Sequence, residues 1–286
     1  TDTIPQGAAH TYDLTQMSQF SGVSKWVGSA TVEVTDPADG KIAGVATTVN
    51  TKQANAYALY TYNAFTGGST TVIAPLIQEN NSGNRTSINC QNIDTSTTTT
   101  IRVDYTPESG SASKASEEKS GIGPNGVAVF LQDYQGATKF VGSARITSDP
   151  AVPMVCVINQ QKPSQGKGSA YEGFDPAKAT SKVVLPLVQS RNGNDTKGYV
   201  WASLNIASAD GSDVSVTCDY RPEPGISDPP NSTGSGAVVV FLLSDIFGDG
   251  SKFVGGAVCE ETSGKPIFAI VNQTRSGGPY SYRDVL

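Results

Sequence analysis

An all-β chain is what this sequence predicts, and three observations predict it. Val, Ile, Thr and aromatic residues fall in short runs, several of them alternating with polar residues as a half-buried strand requires. Gly at 30 and Pro at 16, with abundant Ser and Thr, punctuate those runs as turns. Self-similarity at a long period is the third, and it decides the architecture before any local motif is weighed. No window carries a convincing helical period.

Bulk composition bounds the answer. A chain of 286 residues suits two or three modules of about 100–150 residues each. Hydrophobic residues at 37% suffice for a folded core, and charged residues at 16% are few. Net charge is −6, and no run of Lys or Arg forms a stripe that could neutralise a phosphate backbone, so nucleic acid is excluded as a partner. No stretch approaches the roughly 20 apolar residues of a membrane span. Residue 1 opens on a polar segment without a charged-then-apolar leader, so any secretion signal is expected to have been removed or left out.

Two half-modules repeat. Residues 26–30 read WVGSA, 140–144 FVGSA and 253–257 FVGGA, at offsets of 114 (26 to 140) and 113 (140 to 253). Each is followed by an apolar strand ending in Asn, at Asn50, Asn159 and Asn272, and then by an aromatic segment, NAYALYTY, SAYEGF or GPYSYR. This half, B, appears three times. The other half, A, appears twice: VIAPLIQENNSG matches VVLPLVQSRNGN with Pro75 and Pro186 aligned, and RVDYTPE matches TCDYRPE with Tyr105 and Tyr220 aligned. The chain reads B, A, B, A, B.

Within one A-plus-B unit, strands are expected at about 70–77, 86–93, 98–106, 126–132, 140–148, 152–160 and 169–174. Seven strands in roughly 105 residues suit an immunoglobulin-like β-sandwich. Alternation is clearest in Thr31-Val-Glu-Val34, Ile101-Arg-Val-Asp-Tyr105 and Val214-Ser-Val-Thr217. The Ser-, Gly- and Pro-rich stretches 107–125 and 222–236 look like linkers separating A from the following B.

The cysteines favour A joined to the next B. Residues 67–175 then hold Cys90 and Cys156, residues 176–286 hold Cys218 and Cys259, and residues 1–66 hold none. The opposite grouping strands Cys90 and Cys259 alone. The expected organisation is a partial β-sandwich module over 1–66, needing completion, then two immunoglobulin-like sandwiches over 67–175 and 176–286. Disulfides 90–156 and 218–259 would each contribute about 4 kcal/mol by loop closure; four buried free thiols are the competing reading.

The leftover half, 1–66, lacks the strands that would cover its apolar face. Its strand IAGVAT (42–47) and its aromatics Trp26, Tyr57, Tyr60, Tyr62 and Phe65 would present core surface and unpaired edges. Three coverings are open: the chain's own next module, a missing half lost by processing, or a neighbouring copy by strand addition. The last gives a head-to-tail homopolymer, with the segment Tyr280-Ser-Tyr-Arg-Asp-Val-Leu286 as donor. The assembly candidates are therefore Trp26, Tyr57, Tyr60, Tyr62, Tyr280, Tyr282, Val285 and Leu286.

Chemistry is sparse. The single histidine, His10, sits in AAHTYDL, and the aligned positions in the other copies are Val129 and Val239, so no triad or zinc site is read from it. Acidic turns at Asp36–Gly40, Asp210–Asp213 and Asp245–Gly250 have the look of calcium loops but no EF-hand spacing, and Asp-Gly is ordinary hairpin chemistry. Gly166-Lys167-Gly168 follows no strand-to-helix pattern that would cradle phosphate. Asn-x-Ser/Thr triplets start at Asn80, Asn84, Asn194, Asn231 and Asn272. The reading is a non-enzyme with no catalytic residue, no cofactor and no metal.

The FVGSA strand, the strands ending TVN and VIN, the aromatic SAYEGF and the LPL strand before a polar turn resemble tandem immunoglobulin-like modules of large secreted or cell-surface proteins from filamentous, Chloroflexus-type bacteria. The resemblance covers nearly the whole chain, including IPQGAAHTYD at 4–13, and departs at 107–125 and 222–236, which are longer than that junction. It implies an immunoglobulin-like fold and an extracellular, cell-surface location, and carries over no catalytic residue. The function expected is a structural subunit of an extracellular filament, sheath or surface layer made of copies of itself. The alternative is an adhesin or stalk that binds surface glycans through rings such as Trp201 or Tyr171; an accessory module of a secreted hydrolase is the third reading.

Overall fold

The structure is a computed structural model and describes every residue except 1, 38, 54–55, 133–137, 195–197, 226–229, 249 and 277–286. Two units separate, Thr1–Val32 and Glu33–Leu286. In the first, a short 3₁₀ turn spans Ser18–Phe20, the Phe20 and Trp26 rings meet edge-on at 5.1 Å, and no strand occurs among the described residues.

That finding corrects one expectation. The alternating run Thr31–Val34 is not a strand, although its copy in the FVGSA repeat is. In that copy Ile146, which occupies the place of Val32, pairs with Val72 on one side and Val103 on the other. Both neighbours belong to A halves. Each A half is already taken by its own B strand, so the side-chain alternation at 31–34 joins no sheet among the described residues.

In the second unit the first element is a hairpin, β1 (Val45–Gln53) and β2 (Ala56–Asn63), in a sheet of its own. Eight strands follow: β3 (Thr71–Glu79), β4 (Arg85–Asn92), β5 (Thr99–Pro107), β6 (Glu117–Ile122), β7 (Val127–Leu131), β8 (Phe140–Asp149), β9 (Met154–Lys162) and β10 (Lys167–Glu172). They form two antiparallel sheets, ordered β3-β8-β5-β6 and β10-β9-β4-β7. Inward residues of both sheets, among them Ile77, Ile101 and Ile146 from one and Ile88, Phe130 and Ile158 from the other, share a single apolar core. Alternation does the sorting here: Ile101 and Val103 are buried while Arg102 between them is exposed.

The same order recurs. The strands β11 (Lys182–Ser190), β12 (Asn192–Asn194), β13 (Gly198–Ser208), β14 (Val214–Pro222), β15 (Ser232–Gly236), β16 (Val238–Leu242), β17 (Phe253–Glu261) and β18 (Ile267–Ser276) make the sheets β11-β17-β14-β15 and β18-β13-β16, with β12 also on β13. A second core lies between them, with Leu204, Ile206, Tyr220, Phe253 and Ile267. The described residues hold one α-helix, α1, the five-residue turn Leu243–Phe247 that follows β16 and stacks Phe247 on Phe253 at 4.6 Å. Among the described residues the fold is all-β, and no helix is long and apolar enough to cross a membrane.

Two stretches that read as linkers contain strands. β6, sequence EEKSGI, pairs with β5, and β15, sequence STGSG, pairs with β14. Neither shows apolar alternation because each is an edge strand held mainly through its backbone. A tyrosine pins the start of each: the Tyr105 hydroxyl donates to Glu117 at 2.8 Å, and the Tyr220 hydroxyl lies 2.7 Å from that of Ser232. Pro75 and Pro186 also have a positional reason. Both fall where the ladder shifts register, between Ala74 and Ile77 and between Leu185 and Val188, where a missing N–H costs no paired bond.

Between the two strand groups a small apolar cluster forms. Ile73 of β3 meets Ala207, Ala209 and Phe268, and the Phe174 ring stacks on Phe268 at 4.9 Å. Arg145 donates to the Ala209 carbonyl at 3.1 Å and Lys167 to that of Arg275 at 2.9 Å.

Candidate assembly surface

All four cysteines are buried and paired, Cys90 with Cys156 at a Cα separation of 4.1 Å and Cys218 with Cys259 at 4.0 Å. Each pair is a directly opposed couple on neighbouring strands of one sheet, β4 with β9 and β14 with β17. An antibody-type domain instead bridges its two sheets. The two disulfides also occupy opposite sheets of the repeated pattern. Where the first group has Cys90 and Cys156 the second opposes Ile206 to Ala269, and where the second has Cys218 and Cys259 the first opposes Val103 to Ile146. Each disulfide thus stands in for an apolar cross-strand pair.

The hairpin β1–β2 has two unlike faces. Tyr60 and Tyr62 share one, since residues two apart point the same way along a strand. Tyr60 is buried against β10, where a Cβ at Gly168 would fall 2.5 Å from its ring, so only glycine lets the ring close. The Asn63 N–H donates to Glu172 at 2.8 Å, and Tyr62 with Phe174 lines a shallow groove beside it. Burial raises the Tyr60 hydroxyl above the ordinary tyrosine range.

The opposite face is bare. Val49 opposes Leu59 across the hairpin, and Val45, Val49 and Leu59 are 63%, 50% and 53% exposed. By the repeat, Val45 and Val49 occupy the places of Met154 and Ile158, both 0% exposed in the core beneath β3. In the last copy Val45 corresponds to Ile267, equally buried. β1 therefore turns to solvent the face that its copies β9 and β18 turn inward.

A second bare patch lies on β11. Val184 and Leu187 are 68% and 47% exposed, while their counterparts on β3, Ile73 and Leu76, are 3% and 2% exposed. At the first of these positions the difference is what lies outside: Ala207, Ala209 and Phe268 cluster with Ile73, and Val184 joins no such cluster among the described residues.

Other residues singled out in the sequence fall as follows. Trp26 is exposed in the first unit. Tyr57 lies in β2, with only its backbone described. Tyr280, Tyr282, Val285 and Leu286 lie outside the described residues. His10 is exposed, 4.0 Å from Asp2 and with its ring against Tyr12. Trp201 is buried, and the Tyr171 hydroxyl donates to the Leu76 carbonyl at 2.6 Å. Gly166 closes the 3₁₀ turn between β9 and β10 in a left-handed conformation, which is a hairpin role for the Gly166-Lys167-Gly168 loop.

The carboxylates that stand out serve turns. Asp210 is lowered to about 2 by the Ser212 hydroxyl and N–H and by the Ser208 hydroxyl, and Asp94 is lowered by the N–H groups of Ser96 and Thr97. For Glu261, burial opposes the charge, but the N–H groups of Ser215, Lys265 and Ser263 outweigh it and hold the carboxyl at about 2. Among the described residues, no group of three or more His, Cys, Asp or Glu side chains could hold a metal ion. Comparison with known protein families, characterised proteins and solved structures finds no match for this chain.

Proposed function

We propose that this chain is an extracellular structural protein, a subunit of a filament, sheath or surface layer that assembles with further copies of itself. On this reading, residues 67–175 and 176–286 are tandem immunoglobulin-like sandwich modules and residues 1–66 a half-module completed from outside. The observation that carries it is the bare face of the β1–β2 hairpin, where Val45 is exposed while its counterparts Met154 and Ile267 are both buried core. An apolar sheet face of this kind calls for a partner. Two buried disulfides and a Thr-rich, lightly charged surface fit an oxidising exterior, and the resemblance to secreted modules of filamentous bacteria points the same way.

The adhesin alternative drew on Trp201 and Tyr171 as sugar-stacking rings. Trp201 is buried and Tyr171 is bonded to β3, which leaves the structural reading better supported. Negative-stain electron microscopy and sedimentation over a concentration series test it. Ordered polymers that lengthen with concentration are expected; a monodisperse monomer throughout would overturn the assembly reading.

A further inference from the structure

Each disulfide joins an A half to the B half that follows it, and the two use different places in the repeat. Cys90 and Cys156 are opposed on β4 and β9, at the place where the second strand group opposes Ile206 to Ala269. Cys218 and Cys259 are opposed on β14 and β17, at the place where the first opposes Val103 to Ile146. Crossing the halves therefore parts every cysteine from its partner. The A half of the second group, set against the B half of the first, would oppose Ile206 to Cys156 and Cys218 to Ile146; the converse pairing would oppose Cys90 to Ala269 and Val103 to Cys259. All of these are couples of small or apolar side chains, so packing tolerates a crossed pairing that oxidation cannot seal.

The first B half has no cysteine at either place. Counted from its WVGSA and TVN segments, it carries Val32 where the other copies have Ile146 and Cys259, and Thr47 where they have Cys156 and Ala269. Its hairpin otherwise offers what an A half meets. Val45, Thr47 and Val49 share one face of β1, as Met154, Cys156 and Ile158 share one buried face of β9. The pairing of Asn50 with Ala58, against that of Asn159 with Ala170, puts Tyr62 in the place of Phe174, which bridges Ile73 of β3. In that place residues 63–72 would only have to turn back between antiparallel neighbours, a short connection between consecutive strands. The hairpin is thus a rival for the A half next to it in sequence, β3 to β5, which β8 and β9 hold in the structure.

Going beyond the assembly reading and independent of it, we propose that the two disulfides are pairing keys. Each seals an A half to the B half of its own group, and the cysteine-free first B half is left outside both, which is why its face is bare. Packing alone leaves the choice of B half open, and oxidation closes it. A dithiol reductant reopens it by taking over the disulfide as its own and leaving two protonated cysteines.

Two variants of the full chain, Thr47→Cys with Cys156→Ala and Thr48→Cys with Cys156→Ala, test this. Thr47 and Thr48 are both exposed, and alanine at 156 copies Ala269. Each variant is unfolded, reduced and refolded at high dilution with reduced and oxidised glutathione, the oxidised form accepting the two electrons and two protons released as each protein disulfide forms. Non-reducing peptide mapping is expected to find Cys218 joined to Cys259 in both variants. Cys90 is expected to lose its thiol to position 47 in the first variant and to keep it in the second, because position 48 points to the opposite face of β1. Hydrogen exchange in the first variant should slow at 45–49 and quicken at 154–158, as the hairpin displaces β9. Free thiols at 47 and 90 beside an intact 218–259 link, or equal linkage from 47 and from 48, would overturn the proposal. Thr47→Cys with Cys156 retained reads the same rivalry as a competition: Cys90 shared between positions 47 and 156 is expected, and Cys90 joined to Cys156 alone sinks the idea. Polymer formation enters none of these readouts, so their failure leaves the assembly reading standing.

Discussion

At the scale of single residues, the repeat shows which side chains hold a turn and which only fill space. Glu261 ends β17 and binds the loop to β18 by accepting from the N–H groups of Ser215, Ser263 and Lys265 at 3.1, 2.8 and 2.7 Å. In the other copy Ser148 takes that place, its hydroxyl donating to the Val152 carbonyl at 2.8 Å and accepting from the Val152 N–H at 3.0 Å. The charge makes Glu261 pH-sensitive where Ser148 is not. Its folded-state value of about 2 lies below the ordinary 4.5, so its contribution is fully present above pH 4.5 and is lost as pH falls through about 2. Denaturant midpoints measured from pH 7 to pH 2 should fall across that window in the wild type. Glu261→Gln should be less stable at pH 7 and flatter below pH 4.5; equal slopes would assign the acid sensitivity elsewhere.

At the scale of elements, the sequence was most informative where alternation and pairing agree. β5 and β14 were legible because Ile101 and Val103, or Val214 and Val216, alternate with exposed residues and each strand has partners on both sides. β6 and β15 were not, since an edge strand of Glu, Lys, Ser and Gly carries no apolar signal and is recognisable only once Tyr105 and Tyr220 are seen to pin it. Thr31–Val34 failed in the opposite sense, having the pattern without the partners. The bare hairpin face was partly legible: the aromatics of β2 drew attention, but the repeat alignment that equates Val45 and Val49 with Met154 and Ile158 is the sharper signal. The disulfides offer an internal test of element stability. Cys90→Ile with Cys156→Ala, and separately Cys218→Val with Cys259→Ile, install the apolar pair that the other strand group already uses. Each should fold and lose up to about 4 kcal/mol, the loop-closure contribution, in denaturant unfolding. The double serine versions should lose more, because they bury two hydroxyls at positions of essentially no exposure.

At the scale of the whole molecule, two cores are coupled through a contact much smaller than either. Ile73, Ala207, Ala209, Phe174 and Phe268 supply its apolar part, and Arg145 and Lys167 supply hydrogen bonds beside it. Phe268→Ala should cost about 3–5 kcal/mol as a buried aromatic truncation. Since Phe268 faces the other strand group, calorimetry should then resolve two unfolding transitions where coupling had merged them. A single transition in the variant would mean that the coupling does not depend on Phe268, and two transitions already in the wild type would mean that the groups are independent.

Placement of the disulfides on opposite sheets also governs how the chain would behave as a tether. Under tension, the 66-residue span between Cys90 and Cys156 and the 41-residue span between Cys218 and Cys259 are bypassed by covalent bonds. At about 3.5 Å per extended residue, this removes roughly 23 nm and 14 nm from the contour that unfolding can release. Single-molecule stretching should therefore show two short extension steps in oxidised protein and longer ones after reduction. A fibre of such subunits would be limited in stretch by its redox state, giving way only so far before the load passes directly along sulfur–sulfur bonds.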